Sequence, residues 1–173
     1  MPDITVFPVA QTLLTCLTEA LGTNPSPPQN YCLRTGDVVF ADFNQNRDEC
    51  CEGLAYVRVA RIFPSDDEFP VEQATWRPCH PLAWAAELEM GVWRCEPQQT
   101  STELPSCEEW TSITQIVLND WEAMTRAMCC LTSSDILDRG DPVFAGTWAP
   151  LNSGGGCTGG AMPVIVGRRA CSC

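Results

Sequence analysis

One long amphipathic helix constrains the fold of this chain more than any other feature of its sequence. Ser106 and Glu109 form the capping-box pattern that starts a helix, and Pro105 precedes them. Apolar residues then keep helical spacing for about 25 residues, which makes the helix roughly 37 Å long. A helix of this length crosses a whole small sheet, and we expect its apolar stripe to pack there. The stripe consists of Trp110, Ile113, Val117, Trp121, Met124, Met128 and Leu131.

Hydrophobic periodicity elsewhere predicts a second helix and five strands. Apolar side chains recur at three- and four-residue steps over about residues 5–21, with Pro8 in the first turn and Gly22 at the end, which predicts the helix. Runs that are rich in β-branched and aromatic residues, or that alternate between apolar and polar, predict the strands. In chain order these predicted strands cover residues 38–43, 54–63, 82–95, 143–148 and 161–168.

The order of these elements, α-β-β-β-α-β-β, predicts the fold class. We expect an α+β fold in which a mixed or antiparallel sheet of about four to five strands carries two helices packed on one face. Residues 34–37 should turn the chain into the first strand, and the first two strands should pair as a hairpin or meander. A length of 173 residues suits a single domain that spans residues 1–173.

Alternation along the third predicted strand separates its two faces. The apolar residues fall on one face, and Glu87 and Glu89 fall on the other. Arg58 and Arg61 on the preceding strand are three residues apart, so only one of them can share a face with the glutamates. Such a cross-strand pair stabilises a sheet by about 0.2–1 kcal/mol.

Two connections are expected to be long or flexible. Residues 64–80 contain several prolines and the acidic run Asp66-Asp67-Glu68, which predicts a loop of about 17 residues. The glycine-rich residues 152–160 are predicted to form a flexible tip between the last two strands. They do not form a phosphate-binding loop, because they lack Gly-Lys-Ser/Thr and precede a strand rather than a helix. No dinucleotide-binding fingerprint is present either.

The net charge argues against one class of function. Ten basic residues, all arginine, against 22 acidic ones give the chain a charge of −12. Nucleic-acid binding depends on clustered basic residues that neutralise phosphates, so we do not expect it here. No apolar run reaches the roughly 18–20 residues of a membrane span, and the N-terminus lacks the basic region of a signal peptide. We therefore expect synthesis in the cytoplasm and no membrane association.

Twelve cysteines leave three interpretations open. An even count is typical of a disulfide scaffold, although such scaffolds are usually shorter and secreted. Zinc sites usually pair their ligands as C-x2-4-C, which is absent here, so no metal is predicted even though Cys79 and His80 could supply two ligands. Cys16 on a helix and Cys95 at a strand end fit buried apolar thiols. The candidate disulfide cysteines are Cys50, Cys51, Cys79, Cys129, Cys130 and Cys157.

The sequence predicts no catalytic site. Glu87 and Glu89 are expected to be solvated or paired with arginine rather than to act as an acid and a base. Cys79 and His80 are adjacent, so on an extended backbone their side chains point in opposite directions and cannot form a Cys-His dyad. A thiol oxidoreductase is disfavoured because no C-x-x-C motif occurs. We therefore expect a protein that is not an enzyme and that uses no cofactor.

Four spaced segments of the sequence resemble a known group of proteins. The segments are residues 50–54, residues 79–84 leading into 87–92, the pair Cys129-Cys130 at the end of the long helix, and residues 146–148 followed by 155–160. Together they look like the small Cys-rich structural proteins of the head-to-tail junction in long-tailed actinobacterial phages, and they are most similar to the tail terminators. The resemblance covers roughly residues 5–168, and the predicted element order also resembles the terminator fold of lambda-like phages.

The resemblance implies a virion protein at the head-tail junction. Such proteins form a ring, typically a hexamer, that caps the growing tail tube, halts its polymerisation and presents a surface to the head-completion, or connector, proteins. The implied partners are further copies of the chain, the major tail tube protein and the head-completion proteins, while DNA passes through without specific binding.

The sequence leaves two questions open. Asp66, Asp67 and Glu68 either form an assembly or lumen loop, where carboxylates would repel DNA phosphates, or simply solvate the outer surface. The alternatives to a terminator are a head-side connector or stopper of the same junction and a disulfide- or zinc-stabilised binding module.

Overall fold

In the described part of the chain the fold consists of two helices and a six-stranded mixed sheet, which confirms the predicted α+β class with a slightly larger sheet than expected. A computed structural model describes residues 6–36, 52–65, 68–72, 83–97, 104–138, 140–154 and 156–169. The helices are α1 (Val6–Gly22) and α2 (Cys107–Thr132). The strands are β1 (Asn30–Thr35), β2 (Leu54–Ser65), β3 (Ala83–Cys95), β4 (Val143–Ala145), β5 (Ala149–Gly154) and β6 (Cys157–Arg169).

One parallel pair of strands makes the sheet mixed. The strand order is β1-β2-β3-β6-β4, with β5 also paired to β6, and among these described strands only β1 and β2 run parallel. The sequence did not predict β1, and Arg34 and Thr35, expected in a turn, are its last two residues. The chain bends instead at Gly36, whose φ of 124° favours glycine. The predicted strand at 38–43 lies outside the described residues, so its pairing stays a prediction.

Both helices pack on the same face of the sheet. Helix α1 lies over β1, β2 and β3, and α2 lies over β3 and β6. The predicted apolar stripe of α1 is confirmed, because Leu13 and Leu17 are completely buried. The predicted alternation of β3 is confirmed in the same way by Leu88, Met90 and Val92. Each buried side chain of this size contributes about 1.5–3 kcal/mol, so this shared core stabilises the domain.

Helix α2 is buried along only part of its length. Its predicted capping box is confirmed: the Glu109 N–H donates to the Ser106 hydroxyl, and the Ser106 N–H donates to the Glu109 carboxylate at 2.7 Å. Trp110 and Trp121 were expected in the core stripe, but they are 41% and 43% exposed, so that part of the prediction is wrong. They lie on a flank of the helix beside its sheet-facing side. The buried apolar residues of α2 are Ala123, Met124, Ala127 and Leu131.

Strand β6 replaces part of the flexible tip predicted at 152–160. It pairs with β3 on one side and with β4 and β5 on the other. Gly159 and Gly160 lie within it, where an added Cβ would meet the Val92 carbonyl and the Trp148 ring. The prediction of a tip is therefore wrong for these two glycines, because they permit close packing between neighbouring chain segments.

Candidate functional site

Arginine and glutamate side chains form a ladder on the sheet face opposite the helices. Arg58 of β2 lies opposite Glu89 of β3, and Arg61 lies opposite Glu87. A β-bulge just before Arg61 adds one residue, Ala60, to β2. The added residue returns Arg61 to the face that Arg58 occupies. The prediction that only one arginine could share a face with the glutamates is therefore wrong.

Arg58 and Glu89 form the central contact of this ladder. Nε and Nη2 of Arg58 donate to the two carboxylate oxygens, both at 2.8 Å, and Nη1 donates to the carbonyl of Gly36 at the end of β1. The Tyr56 hydroxyl donates to the same carboxylate at 2.9 Å. Burial and, to a smaller extent, the charge of Glu89 raise the pKa of Tyr56, so the phenol remains a hydrogen-bond donor. The bidentate geometry makes this a strong pair.

Arg61 makes a more exposed set of contacts. Its Nε donates to Glu87 at 2.6 Å, its Nη1 donates to Glu72 at 2.9 Å, and its guanidinium lies 4.6 Å from the centre of the Phe63 ring. Because 54% of the Arg61 side chain is exposed, each ion pair contributes less than about 1 kcal/mol. Glu87 and Glu89 are thus both held by arginine, one of the two outcomes expected for them. The ladder fixes the register of β2 against β3.

A second ion pair lies buried between the sheet and α2. Nε and Nη2 of Arg94 donate to the Asp120 carboxylate at 2.7 and 2.6 Å, and both side chains are almost completely buried. Asn24, which follows α1, donates to Asp120 at 3.2 Å and accepts from Arg126 of α2 at 3.1 Å. Burial raises the pKa of Asp120, and the hydrogen bonds from Arg94 oppose that rise. These contacts join β3, α2 and the end of α1.

The described cysteines divide into bonded and free residues. Cys16 and Cys130 form a disulfide between α1 and α2, and Cys95 and Cys157 are also disulfide-bonded. The interpretation of Cys16 and Cys95 as buried free thiols is therefore wrong. Cys129, one residue before Cys130, points to a different side of α2 and is an exposed free thiol. The prediction that Cys129 forms a disulfide is therefore wrong too. The remaining candidates, Cys50, Cys51 and Cys79, lie outside the described residues.

The acidic run after β2 is only partly described. Strand β2 continues to Ser65, so the predicted loop cannot begin at residue 64. Asp66 and Asp67 lie outside the described residues. Glu68 is exposed in a turn, where its carbonyl accepts from the Val71 N–H at 3.0 Å. Whether these carboxylates face a lumen stays a prediction.

Among the described residues, no group of three or more His, Cys, Asp or Glu side chains could hold a metal ion. Neither of the two described helices has the length and apolar character that a transmembrane segment requires.

Large apolar side chains are exposed in line along one flank of α2. Trp110, Leu118 and Trp121 are 41%, 45% and 43% exposed, and Cys107 is an exposed free thiol at the start of the helix. Trp110 and Trp121 are eleven residues apart, as are Cys107 and Leu118, and eleven residues make about three helical turns. We call these four residues the tryptophan flank. Exposed apolar surfaces of this kind mark contacts with other proteins.

The sequence prediction missed the tryptophan flank, although one signal was available. Helix α2 carries more large apolar residues than a single buried stripe needs, and Leu118 falls outside the stripe that was predicted. An apolar residue outside the stripe of an amphipathic helix indicates a second contact surface.

No protein-family model and no curated protein matches this chain.

Proposed function

We propose that the chain is a structural protein of the phage head-to-tail junction with the role of a tail terminator. In this role a ring, typically of six copies, caps the tail tube, stops its polymerisation and joins the tail to the head-completion proteins. The chain acts through binding surfaces rather than through catalysis. It is made in the host cytoplasm and works in the virion.

The tryptophan flank is the observation that carries this proposal. Burial of a large apolar side chain contributes about 1.5–3 kcal/mol, so two tryptophans and a leucine in line leave much stabilisation unused in an isolated chain. A subunit of an assembly recovers that stabilisation when a neighbour covers the surface. The flank therefore favours a protein that works in contact with other proteins.

The fold supports the same role. Both helices lie on one face of the sheet, as the resemblance to tail terminators implies. The outer strands β1 and β4 lie at opposite ends of the sheet, and within the described ranges no further strand pairs with their outer edges. A ring closes when two different surfaces of each subunit meet, and strand edges are suitable surfaces.

The charge distribution supports passage of DNA without specific binding. Six copies at −12 each would carry a total charge of about −72. Four of the ten arginines, namely Arg58, Arg61, Arg94 and Arg126, already donate to carboxylate, amide or carbonyl oxygens of their own chain. A ring built from such subunits would repel phosphates.

Native mass spectrometry of the purified protein tests the proposal. We expect a metal-free species at six times 19.0 kDa, about 114 kDa. Electron microscopy should then show these rings at the ends of tail tubes from the phage that encodes the chain. Rings that bind only the portal complex would instead indicate a head-side connector. A protein that stays monomeric at every concentration, with or without bound zinc, would overturn the proposal in favour of a disulfide- or metal-stabilised module.

A further inference from the structure

We infer that the tryptophan flank of one subunit binds the β1 edge of the next copy of this chain. This inference rests on the proposed function, because it identifies the two surfaces that meet in the ring. The contact is heterologous: each subunit offers its flank on one side and its β1 edge on the other, so the same contact repeats until the ring closes.

The two surfaces point away from each other. Helix α2 faces α1 through Arg126, which donates to the carbonyl of Ala20 at 3.0 Å, and through the disulfide of Cys130. Trp121 precedes these residues by five and nine positions, which places it about 140° and 180° around the helix from them. The flank therefore points away from α1. Since α1 covers β1 and β2 while α2 covers β3 and β6, the flank and β1 lie at opposite ends of the domain.

The charges of the two surfaces are complementary. No basic residue occurs between positions 95 and 125, and Glu122 borders the flank, one helical turn after Leu118. Strand β1 carries Arg34, which lies beside Arg58, and the carboxylate that neutralises Arg58 is Glu89. Within the described part of the chain Arg34 itself makes no ion pair. In the proposed contact the carboxylate beside the flank thus meets Arg34 of the next subunit. Two flanks packed against each other would instead bring carboxylates together.

The β1 edge also offers groups that suit a helix flank. Tyr31 and Leu33 pack partly against the helix-side core and stay half-buried, so they provide apolar surface beside the edge. The outer edge of a terminal strand presents backbone N–H and C=O groups as well. The two surfaces therefore combine apolar contact with polar groups, as stable interfaces do.

Two charge substitutions on the same half of α2 test the inference. Leu118→Glu places a carboxylate in the flank, and Ser112→Glu places one at an exposed position six residues earlier, on another side of the helix. By native mass spectrometry, Leu118→Glu should raise the concentration needed for ring formation by about 30-fold or more, as loss of a central interface residue does. Ser112→Glu should assemble like the wild type. Circular dichroism establishes that both variants are folded.

A mixing experiment tests the partner surface. Arg34→Glu should also block ring formation, because it alters the β1 edge. When Leu118→Glu and Arg34→Glu subunits are mixed, each pair retains one intact contact, so heterodimers should form. Absence of heterodimers, with both single variants folded and monomeric, would overturn the pairing of the flank with β1.

An exposed native thiol provides a test that needs no substitution. Alkylation followed by peptide mapping should show that Cys107 is protected in the ring and reactive in the monomer. Wild-type rings that leave Cys107 reactive, or that persist in Leu118→Glu, would overturn this inference and leave the proposed function intact. A wild-type protein that forms no ring would overturn both.

Discussion

Removal of the disulfide between α1 and α2 should destabilise the fold strongly. Cys16 and Cys130 are 114 residues apart in the sequence. Closing a loop of that length lowers the entropy of the unfolded state by an amount worth about 4.8 kcal/mol at 25 °C. The disulfides at Cys95 and Cys157 already constrain the unfolded chain, so we expect Cys130→Ala to lower the free energy of unfolding by about 3–5 kcal/mol. Whole domains are stable by only about 5–15 kcal/mol.

Urea denaturation followed by tryptophan fluorescence measures this loss. The control is Cys129→Ala, which removes an exposed free thiol from the adjacent position and should change the free energy of unfolding by less than about 0.5 kcal/mol. The dependence on urea should become steeper for Cys130→Ala, because its unfolded chain exposes more surface. With a reductant present, the wild type and Cys130→Ala should unfold at the same urea concentration. Equal stability of Cys129→Ala and Cys130→Ala without reductant would refute the reasoning.

Two further predictions concern packing inside the domain. Asp120→Leu leaves Arg94 buried without its counter-charge and should lower the free energy of unfolding by about 3–5 kcal/mol. The double variant Arg94→Met with Asp120→Leu removes both charges and should recover most of this lost stability. A double variant no more stable than the single one in urea would contradict this account. Gly91→Ala drives a Cβ into the Tyr56 ring and should destabilise by about 1–3 kcal/mol. Gly22→Ala, with nothing within 4 Å of the added Cβ, should be neutral or stabilising, and equal melting temperatures for the two alanine variants would argue against the clash.

The parts of the fold that could be predicted are those in which a local pattern lasts for many residues. Helix α1, strand β3 and the capping box of α2 each repeat one side-chain spacing or use a short local motif, so neighbouring residues determine their conformation. Strand β1 lacks such a pattern, because its residues are mostly half-buried and its partner is a parallel strand that begins 24 residues after it. The six residues of β1 therefore carry no local pattern that would predict pairing with so distant a strand.

The candidate site was harder to predict, because its features depend on single residues or on tertiary contacts. One extra residue at Ala60 decides whether both arginines reach the glutamates, and nothing in the composition of β2 marks it. Cys129 and Cys130 are adjacent and identical, yet only the second faces α1 and forms a disulfide. Trp110 and Trp121 fit the spacing of the apolar stripe, and only the packing of the helix against the sheet leaves them exposed.

The bulge at Ala60 reverses which alternate residues of β2 point to each face of the sheet. Before it, even-numbered residues such as Tyr56 point to the face opposite the helices, and after it odd-numbered residues such as Phe63 do so. On that face Phe63 lies against the Arg61 guanidinium and is 4% exposed, while its neighbour Ile62 on the other face is 56% exposed. A one-residue insertion or deletion elsewhere in β2 would exchange these two environments, unless a second length change restored the count. Relatives of this chain should therefore vary the length of β2 by two residues at a time, or by one residue at the bulge itself.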